Sequence, residues 1–247
     1  MRLNKIDPKF ISKSNPRIGL ITLGSDFRIE KDFNNIINGR EIDLYVNRIH
    51  CYNPLTNETL AKMADDITVV TKDILPDQKL DCVAYGCTSG TIAAGYDVIK
   101  KKINLAKPEA TVTTPITSAI KALNILGINK ISIFTPYTKT INDSVIGYFE
   151  KENIKVNSLT YFDIDSDLDI GKVDEDHLFD VLSKIDLTDS EALFVSCTAL
   201  PVLSIINKLE KKLNKVILSS NQTLIWDSLN AINYNKKIEG FGKLFNI

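Results

Sequence analysis

Apolar runs of the roughly 20 residues that cross a bilayer are missing from this sequence. Stretches such as 18–23 and 192–195 stop far short, so no membrane partner is expected. Clustered positive charge is missing too. With 30 Lys+Arg against 31 Asp+Glu the formal net charge is -1, and nucleic acid, which is gripped by Lys and Arg displacing phosphate counterions, is not an expected partner. Residues 1–16 carry Lys5, Asp7, Lys9 and Lys13 and no apolar segment of the secretory kind, so the expected compartment is the cytoplasm. The 4 cysteines are then core residues or reactive thiols rather than a disulfide framework. Histidine is scarcer still, with only His50 and His177. His50 ends a strand pattern and His177 lies in an acidic helix start, which disfavours a hydrolase pairing thiol with imidazole. Zinc is disfavoured as well: Cys82 and Cys87 project from opposite faces of a strand, and neither C-x-x-C nor a paired histidine spacing is present. Gly19 and Gly24 do not form G-x-G-x-x-G and no G-x-x-x-x-G-K-[ST] occurs, so dinucleotide and P-loop sites are disfavoured.

What is present is an α/β alternation, in a chain whose 44% apolar residues suffice for a core. β-Branched runs at 17–23, 43–49, 81–85, 111–114, 130–135, 155–161, 192–196 and 215–219 read as strands. Helical patterns fall between them at 59–75, 119–126, 141–150, 178–185, 202–213 and 224–232. This predicts parallel sheets flanked by helices. The order also repeats. Arg17-Ile18-Gly19-Leu20-Ile21-Thr22 resembles Lys130-Ile131-Ser132-Ile133-Phe134-Thr135, and Tyr85-Gly86-Cys87-Thr88 resembles Val195-Ser196-Cys197-Thr198 at a near-equal offset. Two pseudo-symmetric lobes are expected, each a four-stranded parallel sheet: 1–114 with 222–247, and 115–221.

In a parallel sheet, ligands sit beyond the carboxyl ends of strands, where helices offer free N–H groups. Cys87 and Cys197 both fall there. A helix N-terminus draws a thiol from about 8.5 toward neutrality, so each sulfur is expected to move a proton or attack carbon. Thr88, Ser89, Gly90 and Thr91 offer hydroxyl and backbone donors for a carboxylate and its enolate-like transition state. Thr198 and the Ser219-Ser220-Asn221 turn are the second half's share. Either sulfur taken singly also fits a small buried core residue; the symmetric pair favours chemistry. Cys82, inside a strand, and Cys51, without a counterpart, read as structural. The lysines of 208–212 and 100–102 read as solvated helix faces. Asp163, Asp165, Asp167 and Asp169 lack the central Gly and closing Glu of a calcium loop and read as an exposed loop.

Ala84-Tyr85-Gly86-Cys87-Thr88-Ser89, Phe134-Thr135-Pro136-Tyr137-Thr138, Phe194-Val195-Ser196-Cys197-Thr198 and Ser219-Ser220-Asn221-Gln222 resemble the Asp/Glu racemase superfamily, in its maleate cis-trans isomerase and arylmalonate decarboxylase branch, over residues 17–227. Tyr45-Val46-Asn47-Arg48-Ile49, Asn53-Pro54 and Glu58-Thr59-Leu60 are similar to the ectoine-utilisation proteins of bacterial ectoine catabolism. The resemblance implies an active site between two α/β lobes, no metal, no organic cofactor, a small carboxylate substrate and a homodimer or larger homo-oligomer. It makes Cys87 and Cys197 the catalytic thiols of an isomerase or racemase, and Thr88, Ser89, Tyr137 and the Thr198 amide the carboxylate cradle. Asn221 joins them through its turn, and Arg48 is either a carboxylate partner or a surface ion-pair residue. Two departures stand out. Arylmalonate decarboxylase has Gly at the position of Cys87. The maleate isomerases have a substrate-binding Asn where this chain has Gly24-Ser25-Asp26, and Asp26 would repel a second carboxylate and suit an ammonium or amide. The expected activity is a cofactor-independent isomerase; a decarboxylase and a non-catalytic small-acid binding protein are the alternatives.

Overall fold

A computed structural model describes residues 3–11 and 13–247; Met1, Arg2 and Ser12, part of the stretch searched for a secretory signal, lie outside the described residues. The β-branched runs form β1 (Arg17–Leu23), β2 (Asp43–Ile49), β3 (Cys82–Gly86), β4 (Thr111–Thr113), β5 (Lys130–Thr135), β6 (Lys155–Tyr161), β7 (Ala192–Val195) and β8 (Val216–Ser219). Between and after them run α1 (Ile29–Ile37), α2 (Asn57–Lys62), α3 (Ile67–Lys72), α4 (Thr88–Ala94), α5 (Tyr96–Ala106), α6 (Pro115–Leu126), α7 (Lys139–Lys151), α8 (Asp167–Gly171), α9 (Glu175–Leu182), α10 (Ile206–Leu213) and α11 (Ser220–Ala231). The strands pair in parallel as two four-stranded sheets, ordered β2-β1-β3-β4 and β6-β5-β7-β8. The fold is therefore the expected α/β arrangement, with one strand order used twice. Helices cover both faces of the inner strands, which is why β1, β3, β5 and β7 are buried almost throughout and read as near-continuous apolar runs.

The helix expected over 59–75 is three pieces: α2, a 3-10 turn at Met63–Asp66, and α3. Asp65 and Asp66 are poor helix-interior residues, and the β-branched residues that follow lose χ1 freedom in a helix. The apolar face survives, with Leu60, Met63, Ala64, Ile67 and Ile74 buried. Besides α2, four helices begin earlier than their apolar periodicity: α6, α7, α9 and α11. Thr114 precedes α6, which starts on Pro115, a residue suited to the first helical position. Ser219 caps α11 in a reciprocal box with Gln222. One begins later than expected: Leu203–Ile205 is a 3-10 turn and α10 starts at Ile206.

The α6–α11 pair stitches the two halves. Ser118 Oγ donates to Asp227 Oδ2 at 2.8 Å, and Lys121 Nζ reaches both oxygens of the same carboxylate at 3.0 and 2.9 Å. Ser228 Oγ lies 2.9 Å from Thr113 Oγ1, holding α11 to β4. Beyond α11, the Gly242 amide donates to Asn207 Oδ1 and the Lys243 amide to Glu210 Oε2, both at 2.9 Å on α10. Among the described residues no helix is long and apolar enough to cross a membrane. Asp227→Ala leaves the buried Ser118 hydroxyl without its acceptor, and should lower the free energy of urea unfolding by about 1–3 kcal/mol; an unchanged urea midpoint would deny the seam a stabilising role.

Candidate active site

The turns following β1, β3, β5, β7 and β8 converge at the carboxyl edges of both sheets. Cys87 stands directly after β3 as the N-cap of α4, and its sulfur accepts the Gly90 N–H at 3.2 Å. The Ser89 hydroxyl is 3.9 Å from the same sulfur. Gly90 must be glycine here: a Cβ would come within 2.8 Å of Cys87 Sγ and 3.0 Å of the Tyr85 hydroxyl. That Tyr85 hydroxyl is buried and has no hydrogen-bond partner among the described residues.

Cys197 does not start a helix, contrary to expectation. It sits in a turn between β7 and the 3-10 segment, with φ +104°, a left-handed conformation that is strained for a residue with a Cβ. Its amide donates to Ser220 Oγ at 3.0 Å, and the same hydroxyl lies 2.8 Å from Thr88 Oγ1. One serine thus bridges the two cysteine turns. A second tie between the halves runs from Thr198 Oγ1 to the Gly86 carbonyl at 3.3 Å. Tyr137 is buried under this turn. Ser196 Oγ approaches its hydroxyl at 3.5 Å, and its backbone is fixed by Thr135 and Asn142. Asn221, in the first turn of α11, donates through Nδ2 to Asp32 Oδ2 and to the Thr198 carbonyl, each at 2.8 Å, leaving its Oδ1 unpartnered. Cys87, Cys197, Thr88, Ser89, Tyr137, Thr198 and Asn221 are therefore in one buried cluster.

Acidic residues line the same cluster. Asp26 is buried, and its Oδ1 accepts the Arg28 and Ile29 amides at 2.7 and 3.1 Å. Its Oδ2 has no partner among the described residues; the nearby Thr198 hydroxyl, which acts to lower its pKa, donates to the Gly86 carbonyl. Burial leaves the Asp26 carboxyl raised on balance. Asp167, expected on an exposed loop, is buried. It opens α8 behind the Ser166 cap and takes the Ser25 hydroxyl at 2.5 Å, and burial pushes it up to about 6. Arg48 is not brought to the sulfurs. Its guanidinium binds the Leu23 and Asp26 carbonyls at 3.1 and 2.7 Å and Glu30 at 2.7 Å, bracing the turn that carries Asp26. Cys51 is closer to the site than its structural reading suggested: burial and the charges of Asp167 and Asp26 raise it to about 11. Sequence reasoning missed Asp167, Tyr85, Asp32 and the bridging role of Ser220. Only Ser220 carried a local signal, as part of the capping turn.

The thiols differ from expectation in their acidity. Burial pushes Cys87 and Cys197 well above the ordinary thiol value and outweighs the Gly90 amide on the first and the Ala199 amide and Tyr137 hydroxyl on the second. Desolvation of the thiolate exceeds what a few donors return. Beside Asp167 a strap of residues 53–57 joins the halves: Leu55 donates to the Asp165 carbonyl at 2.8 Å, the Asp167 amide to Asn53 Oδ1 at 3.3 Å, and Asn57 Nδ2 to Ser144 Oγ at 3.2 Å. Outside it lies a cleft of about 360 Å³ lined by Pro54–Glu58, Thr138, Thr140, Ile141 and Asp165.

The family model described as arylmalonate decarboxylase matches residues 56–245. The chain belongs to the arylmalonate decarboxylase family. This family, which includes the maleate isomerases, lies in the Asp/Glu racemase superfamily. Maleate isomerase of Geobacillus stearothermophilus is 24% identical over 245 residues, covering 93% of this chain and 97% of that protein. Arylmalonate decarboxylase of Bordetella bronchiseptica is 25% identical over 150 residues, covering 58% of this chain and 62% of that protein. A cysteine-to-serine mutant of Nocardia farcinica maleate cis-trans isomerase, with a covalently bound succinylcysteine intermediate, superposes with a TM-score of 0.86 at 18% identity, covering 94% of this chain and 98% of that one. At such identity the superposition speaks for the fold.

In this member of the arylmalonate decarboxylase family, Asp32 is raised from 3.8 to about 7, chiefly by burial. An acid whose folded pKa is raised binds its proton more tightly when folded, so folding is unpenalised below pH 3.8 and loses stability as the pH climbs toward 7. Asp32→Asn should remove this loss, so that the variant melts above wild type near neutral pH and level with it in acid. Parallel melting curves at every pH would contradict it.

Proposed function

We propose that the chain is a cofactor-independent isomerase of a small carboxylic or amino acid, either a cis-trans isomerase or a racemase, in which Cys87 and Cys197 work as a pair. The observation that carries this is the Ser220 bridge, which ties the Cys197 amide and the Thr88 hydroxyl to one oxygen and so sets the two sulfur-bearing turns against each other. The substrate carboxylate would lie on Thr88, Ser89, Tyr137 and the Thr198 amide, where charge that develops on it in the transition state meets donors already in place.

In a cis-trans isomerisation, the Cys87 thiolate forms a C–S bond with one alkene carbon and the π pair moves to the neighbouring carbon and its carboxylate. Rotation about the resulting single bond follows. The pair then re-forms the double bond as the C–S bond breaks and the thiolate leaves. Cys197 supplies a proton to the neighbouring carbon and takes it back. In a racemisation, one thiolate takes the α-proton and the opposite thiol protonates the other face. Both sulfurs have a donor that would favour the thiolate, the Gly90 amide at Cys87 and the Ala199 amide with the Tyr137 hydroxyl at Cys197. The Nocardia farcinica relative supports a two-cysteine scheme: a serine cannot carry a succinylcysteine thioether, so the replaced and the modified residue there are different. The presence of Cys87 favours this reading over decarboxylation. The resemblance of 45–60 to ectoine-utilisation proteins adds 2,4-diaminobutyrate and its N-acetyl derivatives to the candidate substrates.

Proton NMR in deuterium oxide with maleate, aspartate, glutamate and the diaminobutyrates should show isomer formation or α-hydrogen exchange without carbon dioxide release. Cys87→Ala and Cys197→Ala should each abolish it while the circular dichroism spectrum is kept. Carbon dioxide release, or full turnover in either variant, would sink the proposal. Ser220→Ala should lower kcat/KM about 10- to 100-fold, because it releases the Cys197 turn and takes from the Thr88 hydroxyl of the carboxylate cradle its partner; wild-type kcat/KM would remove the bridge from the mechanism.

A further inference from the structure

Two buried carboxylates, one from each half of the chain, stand in the thiol cluster. Asp26 is 1% exposed and Asp167 is 3% exposed. Asp26 Oδ2 has no partner among the described residues. Asp167 is held by the hydroxyl of Ser25, the chain neighbour of Asp26, so the two acids belong to one cluster, and the charge of Asp26 is among the causes that raise Asp167. The guanidinium groups nearby are committed elsewhere. Arg48 donates to the carbonyls of Leu23 and Asp26 and to Glu30, and Arg28 to the Gly171 carbonyl. Neither donates to a carboxylate oxygen of Asp26 or Asp167. Asn221 Oδ1, a further buried acceptor of this cluster, is also unpartnered.

An acceptor buried without a donor is costly, and two like charges side by side are costlier. A ligand group carrying both N–H donors and positive charge relieves both penalties. A second carboxylate would deepen them.

We propose that Asp26 and Asp167 form an ammonium-binding subsite, and that the substrate is an amino acid whose ammonium group meets these two carboxylates while its carboxylate lies on the Thr88, Ser89 and Thr198 donors. This rests on the two-thiol reading and narrows it to racemisation. One thiolate removes the α-hydrogen as a proton, the electron pair spreads from the α-carbon into the carboxylate, and the opposite thiol returns a proton to the other face. The pair ends with its protonation exchanged and no redox change. The ammonium also acts on the sulfurs. The charge of Asp167 helps hold both thiols up, and that of Asp26 helps hold up Cys197; a cation at the two acids offsets that influence and favours the thiolate once substrate is in place.

β-Alanine and succinate test the subsite, because they differ only in an ammonium exchanged for a carboxylate and are bound without needing turnover. Calorimetric titration of the full chain at neutral pH should show β-alanine bound about tenfold or more tightly than succinate. Asp26→Asn and Asp167→Asn keep the acceptor oxygens that hold each side chain in place, and each should weaken β-alanine about tenfold and narrow the preference. Succinate bound as tightly as β-alanine, binding of neither, or β-alanine affinity unchanged in both variants would overturn the proposal. The β-alanine preference with full turnover in the cysteine variants would instead sink the two-thiol reading and leave the subsite standing.

Discussion

The candidate site depends on one hydroxyl. Ser220 Oγ accepts the amide of Cys197 and shares a hydrogen bond with Thr88, the residue after Cys87. Cys197 occupies a backbone conformation that its Cβ disfavours, and a strained turn persists only where neighbours over-determine it. Ser220 can do so because the Ser219–Gln222 capping box fixes the first turn of α11, and because α11 is anchored through Asp227 and Ser228 to α6 and β4. The chain of causes runs from a helix cap, through a packed seam, to the orientation of a sulfur.

The electrostatics of the cluster follow from the same closure. Burying the thiols beside Asp26 and Asp167 suppresses their ionisation, the opposite of what a solvent-open helix terminus would do. On the proposed reading, an entering ammonium would relieve that suppression. Isolated features such as an N-cap position describe what a group could become, while the surrounding dielectric decides what it is at rest.

The two-sheet fold was legible because β-branched runs recur in the same order, and because Cys87 and Cys197 mark equivalent strand ends. Helix boundaries were less legible where caps rather than apolar spacing set them, as at Thr114 and Ser219, or where a 3-10 turn precedes the helix, as at Leu203–Ile205. The cysteines and the residues beside them could be found locally. Asp167 could not, since in sequence it is one of a string of alternating aspartates and only tertiary packing selects it for burial. Arg48 shows the converse: its charge suited a carboxylate, but the fold spends it on the carbonyls of the turn that holds Asp26. Thiol acidity was illegible because burial is a property of the assembled halves.

The strap at 53–57 has a consequence for traffic. Its ties to Asp165, Asp167 and Ser144 lie outside both sheets, so it can part while every strand ladder stays intact. On the proposed reading, entry and departure of the small acid would be paced by the breathing of a few loop bonds, leaving the scaffold beneath as rigid as its cores allow.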